Sequence, residues 1–140
     1  MLALPRGNVA VAAVSPLALA RGWQKAEGAV VFAAALAILL SGDLPFAWWV
    51  ALLAFFAPDL SFAAYLFGNR AGAEAYNAVH IYGFGAVVLG AGTFAASPVL
   101  TALGLLWLAH SGFDRMLGYG LKLPEGFQHT HLGRIGRSGD

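Results

Sequence analysis

Residues 46–67 have the sequence FAWWVALLAFFAPDLSFAAYLF, in which Asp59 is the only charged residue. A helix needs about 20 mostly apolar residues to cross a bilayer, so this run predicts a transmembrane helix with an interruption at Pro58-Asp59. The whole chain is 59% hydrophobic and 11% charged, whereas soluble domains carry about 25% charged residues. So few charges cannot cover a surface that faces water, and the chain is expected to lie in a membrane.

Three further segments are apolar enough to span the bilayer: residues 27–40, starting near Trp23 if the span is of full length, residues 75–95 and residues 98–118. Short turns rich in Gly, Pro and Asn separate them, so consecutive helices are expected to be antiparallel neighbours. The predicted fold class is all-α, a polytopic four-transmembrane-helix antiparallel bundle over residues 23–120. Small residues are expected to let the last two helices pack closely: Gly83, Gly85, Gly90, Gly92 and Gly104.

The positions of the cations predict the orientation. All eight fall before the first span, between the second and third, or at and beyond the end of the fourth: Arg6, Arg21, Lys25, Arg70, Arg115, Lys122, Arg134 and Arg137. The opposite side has Asp43 and no cation. The positive-inside rule therefore predicts a multi-pass inner-membrane protein with both termini in the cytoplasm. Tyr65 and Tyr76 suit the cytoplasmic interface as aromatic anchors.

The two ends of the chain are expected to differ from the bundle. Residues 1–22 are predicted to form a leader that lies on the surface or is disordered, and a signal peptide is the alternative. Residues 121–140 are predicted to form a cytoplasmic tail that packs on the bundle. The chain has no cysteine and no basic stripe, so disulfides, thiolate metal sites and nucleic-acid binding are not expected.

Ionisable residues inside the spans are the candidates for function, because a charge in a bilayer costs several kcal/mol. Asp59 lies in the second span, and Asn77 and His80 share a face of the third. His110 and Asp114 lie four residues apart on one face of the fourth. At about 1.5 Å per residue these groups all lie within about 12 Å of the cytoplasmic end of their helices, so they share one layer. Glu27 opens the first span in the same layer.

Imidazole and carboxylate together are typical ligands of zinc, iron or manganese, and one divalent metal is the expected cofactor. We expect four ligands, of which His131 would fold back from the tail: His80, His110, Asp114 and His131. Asp59 is the candidate catalytic base, with Glu27 as a second base or a ligand. Asn77 is a supporting residue, and Asp114 is alternatively the hydrogen-bond partner of His110.

Several alternatives remain open from the sequence. Asp59 and His80 could be a buried hydrogen-bonded pair that fixes helix register, which would make the chain a structural membrane protein. Asp59, His80 and His110 could relay protons or bind an ion in a carrier, which would require an oligomer because four helices are few for alternating access. His80 and His110 could also be axial ligands of a haem, although a haem slot is normally hydrophobic.

Five stretches of sequence resemble a known family. They occur in order at residues 57–61 (APDLS), 75–80 (AYNAVH), 107–115 (WLAHSGFDR), 117–122 (LGYGLK), and 126–127 with 130–133 (GF and THLG). Together they resemble the domain of unknown function 4260 family of small bacterial membrane proteins, over about residues 27–136. The resemblance implies a compact four-helix membrane protein and no particular activity. A looser likeness to predicted membrane-bound metal-dependent hydrolases implies a hydrolase acting on a lipid or amphipathic substrate; partners are then the bilayer and that substrate, with a homo-oligomer left open.

Overall fold

The structure, a computed structural model, describes residues 15–136, and these residues are mostly helical. Five α-helices and one 3-10 helix precede a small sheet: α1 (Pro16–Leu40), α2 (Trp48–Phe56), the 3-10 segment (Ala57–Phe67), α3 (Asn69–His80), α4 (Tyr82–Phe94) and α5 (Pro98–Leu117). Residues 1–14, most of the predicted leader, lie outside the described residues. The first helix begins at Pro16, further upstream than the start expected near Trp23.

Local sequence signals account for where α1 and α5 begin and for where α5 ends. Ser15 and Ser97 are their N-caps, and each side chain accepts a hydrogen bond from a backbone N–H in the first turn. A proline follows each cap, where its missing N–H has no helical partner to lose. Gly118 ends α5 in the left-handed conformation, with φ of 95°, which is the usual way for a helix to stop at glycine.

The predicted third span, residues 75–95, is not one helix. Ile81 has an extended backbone, with ψ of 143°, which interrupts the helical hydrogen bonds between α3 and α4. The two helices are consequently bent by 44°. The second span does continue to Phe67, but it tightens into the 3-10 segment at the predicted interruption, because Pro58 lacks the N–H that an α-helix needs.

Helix α5 lies at the centre of the fold and packs against α1, α2 and α4. Glycines permit the close approach: Gly104 and Gly92 leave no room for a Cβ at the α4–α5 crossing, and Gly112 leaves none opposite Gly28 of α1. Gly85 is similarly tight against Leu108, whereas Gly90 has open space beside it. The apolar core between these helices consists of Ala35, Leu39, Ala51, Ala102, Leu105, Leu106 and Ala109.

Two helices within residues 15–136 are long and apolar enough to cross a membrane: Pro16–Leu40 and Trp48–Phe67, the second made of α2 and the 3-10 segment. The bent α3–α4 pair raises the number to three if it counts as one span. Large apolar side chains on their outer faces are exposed, with Trp48 at 72% and Phe94 at 96%, as expected of surfaces that face lipid. Membrane helices are thus supported, but the predicted four crossings are not all accounted for, because α5 is not among these spans.

The tail contains regular secondary structure that was not predicted from the sequence: residues 122–134 form a three-stranded antiparallel sheet. Its strands are β1 (Lys122–Leu123), β2 (Gly126–Thr130) and β3 (Gly133–Arg134), in the order β1-β2-β3. The sheet packs on α3, at the end where α1 begins and α5 ends. Arg21, Lys25 and Arg134 line a cavity at this end, whereas Asp43 lies beside Gly92 and Ser97 at the other.

Candidate metal centre

Four side chains from separate parts of the fold converge between the helices: Asp59, His80, His110 and Asp114. One ligand atom from each lies within 4.8 Å of the ligand atoms of the other three. The two Nε2 atoms are 3.1 Å apart. Asp59 Oδ1 lies 3.6 Å from each of them, and Asp114 Oδ2 lies 3.7 Å from His80 and 3.9 Å from His110. The structure therefore brings together four of the residues that the sequence singled out.

His80 occupies the last position of α3, immediately before the break at Ile81. Its Nδ1–H donates to the carbonyl oxygen of Tyr76, 2.8 Å away. The ring stacks on the Tyr76 ring at 3.6 Å between centroids, and the Phe62 ring stacks near both, 5.3 Å from Tyr76 and 6.4 Å from His80. Because the neutral ring carries its proton on Nδ1, the lone pair of Nε2 points into the cluster, which is the tautomer of a metal ligand held by a backbone carbonyl.

Asp114 and His110 are fixed by α5, on which they are one turn apart. The Tyr76 hydroxyl donates to Asp114 Oδ2 at 2.7 Å, so one residue of α3 holds both Asp114 and His80. The His110 ring is 1% exposed and packs edge-on against Phe55 at 5.3 Å. Its Nδ1 is buried and has no hydrogen-bond partner among residues 15–136.

Asp59 lies at the edge of the cluster, in the first turn of the 3-10 segment. Its side chain is 34% exposed, compared with 13% for Asp114. It borders a cavity of about 370 Å³ that also reaches His110, Asp114 and Lys122. Asp59 is thus the member of the cluster with the most access to a molecule in the cavity.

The electrostatics of the cluster call for a positive charge at its centre. Two carboxylates and two imidazole lone pairs pointing at one another repel unless protons or a cation lie between them, and the low dielectric of a buried site strengthens the repulsion. The donor set, two nitrogens and two oxygens, suits zinc, iron or manganese. The residues present therefore fit one divalent ion.

Three other predicted site residues do not join the cluster. Glu27 is exposed on α1, beside a cavity lined by Trp23 and Tyr82. His131 accepts a hydrogen bond from the Leu121 backbone N–H at its Nδ1, and its Nε2 faces Gln24 of α1. The tail turns this imidazole towards α1, so His131 lies outside the cluster and is not placed as the closing ligand.

Asn77 lies outside the cluster and contacts the C-terminal sheet. Its amide binds the backbone of Lys122 twice, donating to the carbonyl oxygen at 2.9 Å and accepting from the N–H at 2.7 Å. An asparagine side chain can replace the missing neighbour of an edge strand in this way. Asn77 therefore attaches β1 to α3, one residue after the tyrosine that orients the cluster.

The positions of Tyr76 and Lys122 beside the cluster were not predicted from the sequence. Tyr76 was expected at the membrane interface, but it is only 1% exposed and touches two members of the cluster. Its position four residues before His80 was the one available signal, since such residues share a helix face. Lys122, grouped with the cytoplasmic cations, is 4% exposed. Burial lowers the pKa of Lys122, while Asp114 and Asp59 act in the opposite direction.

The haem alternative conflicts with the geometry. The axial nitrogens of a haem lie on opposite faces of the macrocycle, which separates them from each other. The two Nε2 atoms are 3.1 Å apart and within 4 Å of two carboxylates. A porphyrin ring has no room between them.

Comparison with known proteins identifies a family for this chain but assigns no activity to it. Residues 21–135 match the family described as "Domain of unknown function (DUF4260)". No curated protein and no solved structure matches the chain.

Proposed function

This chain belongs to the DUF4260 family, and from the geometry of its buried cluster we propose that it is a metal-dependent membrane hydrolase. It would bind one divalent ion, with zinc, iron and manganese as candidates, and cleave a lipid or amphipathic substrate. The ligands would be His80, His110 and Asp114, and Asp59 would be the catalytic base.

The spacing of the ligand atoms is the observation on which the proposal depends. Four ligands at about 2.1 Å from one ion, arranged as a tetrahedron, are roughly 3.4 Å from one another. The distances of the two Nε2 atoms from each other and from the nearest carboxylate oxygens range from 3.1 to 3.9 Å. Small side-chain movements would suffice to place all four around one ion.

The roles follow from burial and hydrogen bonding. The two histidines and Asp114 are the more enclosed members, and Tyr76 orients two of them. Asp59 borders the cavity and can either complete the coordination or face a water molecule there. A catalytic centre needs one position open to water or substrate, which favours Asp59 as the group that acts on the reacting molecule.

A bound divalent ion would polarise the bond to be cleaved and make a neighbouring water more acidic. As the water oxygen forms a bond to the ester centre, Asp59 would accept a proton from the water. The bond to the alcohol oxygen would break, and Asp59 would return that proton to the leaving alkoxide, so one ester and one water give one acid and one alcohol. The aromatic wall of the cavity, which includes Phe56, Phe62 and Phe113, would hold the apolar part of the substrate and exclude bulk water.

Membrane placement is part of the same proposal. We infer four crossings in an inner membrane, with α5 as the fourth. Helix α5 need not be uniformly apolar to cross, because its polar residues His110 and Arg115 are buried among the other helices. The cluster would then lie towards the cytoplasmic side with both termini, and the substrate would enter from that leaflet. A homo-oligomer remains compatible with this arrangement.

Labelling tests the orientation in a chain that has no cysteine. Single cysteines at positions 21 and 70 should react with an impermeant reagent only after the membrane is disrupted, whereas one at position 43 should react in intact cells. The reverse pattern would overturn the cytoplasmic location of the site.

Elemental analysis and an absorbance spectrum of detergent-purified protein test the metal, and a panel of amphipathic esters tests the activity. We expect about one divalent ion per chain and hydrolysis of at least one ester. Asp59→Asn should lower the rate by about 10²–10⁴-fold, with the chain still folded and metal still bound. His129→Ala, which changes an exposed histidine of β2, should leave the hydrolysis rate and the metal content unchanged. Folded protein that contains no metal after purification without chelator would contradict the proposal.

The second candidate is a proton- or ion-coupled carrier, and the 3.1 Å contact between His80 Nε2 and His110 Nε2 favours it. This is a hydrogen-bond distance, so His110 could donate to His80 when no metal is present. Metal-free, folded protein that moves protons across vesicles, and loses this activity in His110→Ala, would favour the carrier over the hydrolase.

A further inference from the structure

Lys122 is a buried cation to which the proposed hydrolytic chemistry gives no role. It is 4% exposed, and it lines the same cavity of about 370 Å³ as Asp59, His110 and Asp114. A buried charge is costly unless it is paired with an opposite charge or fully hydrogen-bonded. The groups around Lys122 therefore indicate whether its charge is paired within the chain or is available to a bound anion.

The pairing within the chain is incomplete. The ammonium donates one hydrogen bond, to the Phe127 carbonyl oxygen at 2.9 Å, although it has three N–H groups. No carboxylate within residues 15–136 forms an ion pair with it. Three rings surround it instead, those of Phe127 at 4.0 Å, Tyr76 at 5.1 Å and Phe62 at 5.8 Å. Such contacts stabilise a cation but leave its remaining N–H groups free for an anion.

The backbone of Lys122 is held in place. Asn77 binds its N–H and its carbonyl oxygen, and the strand pairs with β2. The side chain consequently starts from a fixed point beside the turn of α3 that carries Tyr76 and His80. A charge fixed in position before the ligand arrives is what anion recognition requires.

Charge balance indicates the kind of anion. A divalent ion beside the carboxylates of Asp59 and Asp114 and two neutral imidazoles gives a site with no net charge, so a further positive charge would favour an anionic substrate. Lys122 adds one positive charge on the cavity side, and pairs of a lysine and a metal ion commonly hold phosphoryl groups. The rest of the cavity is aromatic and apolar, with Phe56, Phe113 and Phe127 in its wall.

We propose that Lys122 binds the phosphate of the substrate, and that the substrate class is a phosphate ester of a lipid-like alcohol. This inference rests on the proposed hydrolase. The oxygen of water forms a bond to phosphorus while the bond from phosphorus to the alcohol oxygen breaks. Asp59 accepts a proton from the water and returns it to the leaving alkoxide, so that one ester and one water give one alcohol and one inorganic phosphate.

Titration of inorganic phosphate into the metal-loaded protein in detergent tests the inference by calorimetry. Lys122→Met keeps the length of the side chain and removes its charge; Lys25→Met makes the same change at an exposed position outside this cavity. We expect Lys122→Met to bind phosphate at least ~10-fold more weakly than the wild type, Lys25→Met to bind it equally well, and all three proteins to hold the same amount of metal.

The outcomes separate the two proposals. Equal phosphate affinity in the wild type and Lys122→Met, with metal present in both, overturns the role of Lys122 and leaves the hydrolase standing. Protein without metal overturns the hydrolase itself. Dodecyl phosphate titrated in the same way should bind at least ~10-fold more tightly than inorganic phosphate, because its chain fills the apolar cavity. Equal affinities for dodecyl phosphate and inorganic phosphate would indicate free phosphate as the ligand and would overturn the proposal that the substrate carries a lipid-like chain.

A measurement on the unaltered chain covers the case in which Lys122→Met does not fold. Acetic anhydride acylates lysine amines, and peptide mass spectrometry reports each position. Phosphate should slow the acylation of Lys122 at least ~3-fold, because the bound anion holds the amine protonated, and should leave Lys25 unaffected. Equal slowing at both positions, or at neither, contradicts the proposal.

Discussion

The helical cluster and the C-terminal sheet each contain two of the four histidines, and the two pairs have different surroundings. His80 and His110 are 1% exposed, and their Nε2 atoms face each other and two carboxylates. His129 and His131 are exposed. Of these, His131 accepts a backbone N–H, and the carboxylates of the cluster are not within reach of either.

This difference shows that the residue type alone does not make a ligand. In the helices, Tyr76 fixes the tautomer of His80 and Asp114 at the same time, and the lone pairs are directed to one point. In the sheet, the backbone of Leu121 already occupies the Nδ1 of His131. A metal ligand needs a free lone pair held by neighbouring groups, and the helical pair meets this condition.

The largest effect is expected from removing one histidine of each pair. His110→Ala should reduce bound metal from about one equivalent per chain to nearly none, because a site of roughly four ligands loses one and admits water. His129→Ala should retain the full amount. Metal content after dialysis, measured with circular dichroism to confirm folding, checks both variants. Equal metal content in His110→Ala and His129→Ala would contradict the view that only the helical histidines bind metal.

Tyr76→Phe is expected to have the next largest effect. It deletes the hydroxyl that donates to Asp114 and keeps the ring that stacks on His80. Loss of a group that orients a ligand typically lowers metal affinity by about 10–100-fold. Tyr82→Phe is the matched control, since the Tyr82 hydroxyl has no partner within residues 15–136. Competition with a chelator measures both affinities, and the same value for both would show that Asp114 needs no orientation.

Asn77→Ala tests the connection between the two regions. It removes two hydrogen bonds to Lys122, which should destabilise the attachment of β1 by about 1–3 kcal/mol. Hydrogen exchange at the Lys122 amide should become faster, while exchange within α5 stays the same. Asn69→Ala at the exposed start of α3 serves as the control. Unchanged exchange at Lys122 would mean that β2 alone holds the strand.

The smallest effect concerns pH and belongs to the sheet. Although His131 is exposed overall, partial desolvation of its ring lowers the pKa from its usual 6.5, and the charge of Arg115 lowers it further. Between the lower folded pKa and about 6.5 the unfolded chain binds more protons, so stability increases with pH across this window and decreases as the solution is acidified. Protonation of Nδ1 would also break the bond from Leu121.

Hydrogen exchange at the Leu121 amide, followed from pH 7 to 5 and corrected for intrinsic exchange, measures this effect. The excess opening at low pH should disappear in His131→Ala and persist in His129→Ala. Excess opening that survives in His131→Ala would assign the pH dependence to another group.

Much of the fold and of the site was predictable from the sequence because local chemistry dictates it. Runs of apolar residues imply membrane helices, and Pro58 implied the interruption beside Asp59. The four residues of the cluster stood out because polar groups at helical spacing on apolar segments need partners. The family was recognisable from short runs in order, and the match over residues 21–135 confirms it.

Other features depended on contacts between distant segments. Residues 75–95 appeared as one helix from composition alone, whereas the folded chain has an extended backbone at Ile81 and places α5 at the centre. In the tail, the strands pair with one another and Asn77 binds the backbone of Lys122, and only the folded chain brings Asn77 and Lys122 together. The same folding turned His131 towards Gln24 and placed Tyr76 and Lys122 beside the cluster. Sequence determined which side chains needed partners, and tertiary structure decided which partners they received, because that choice depends on distances between segments far apart in the chain.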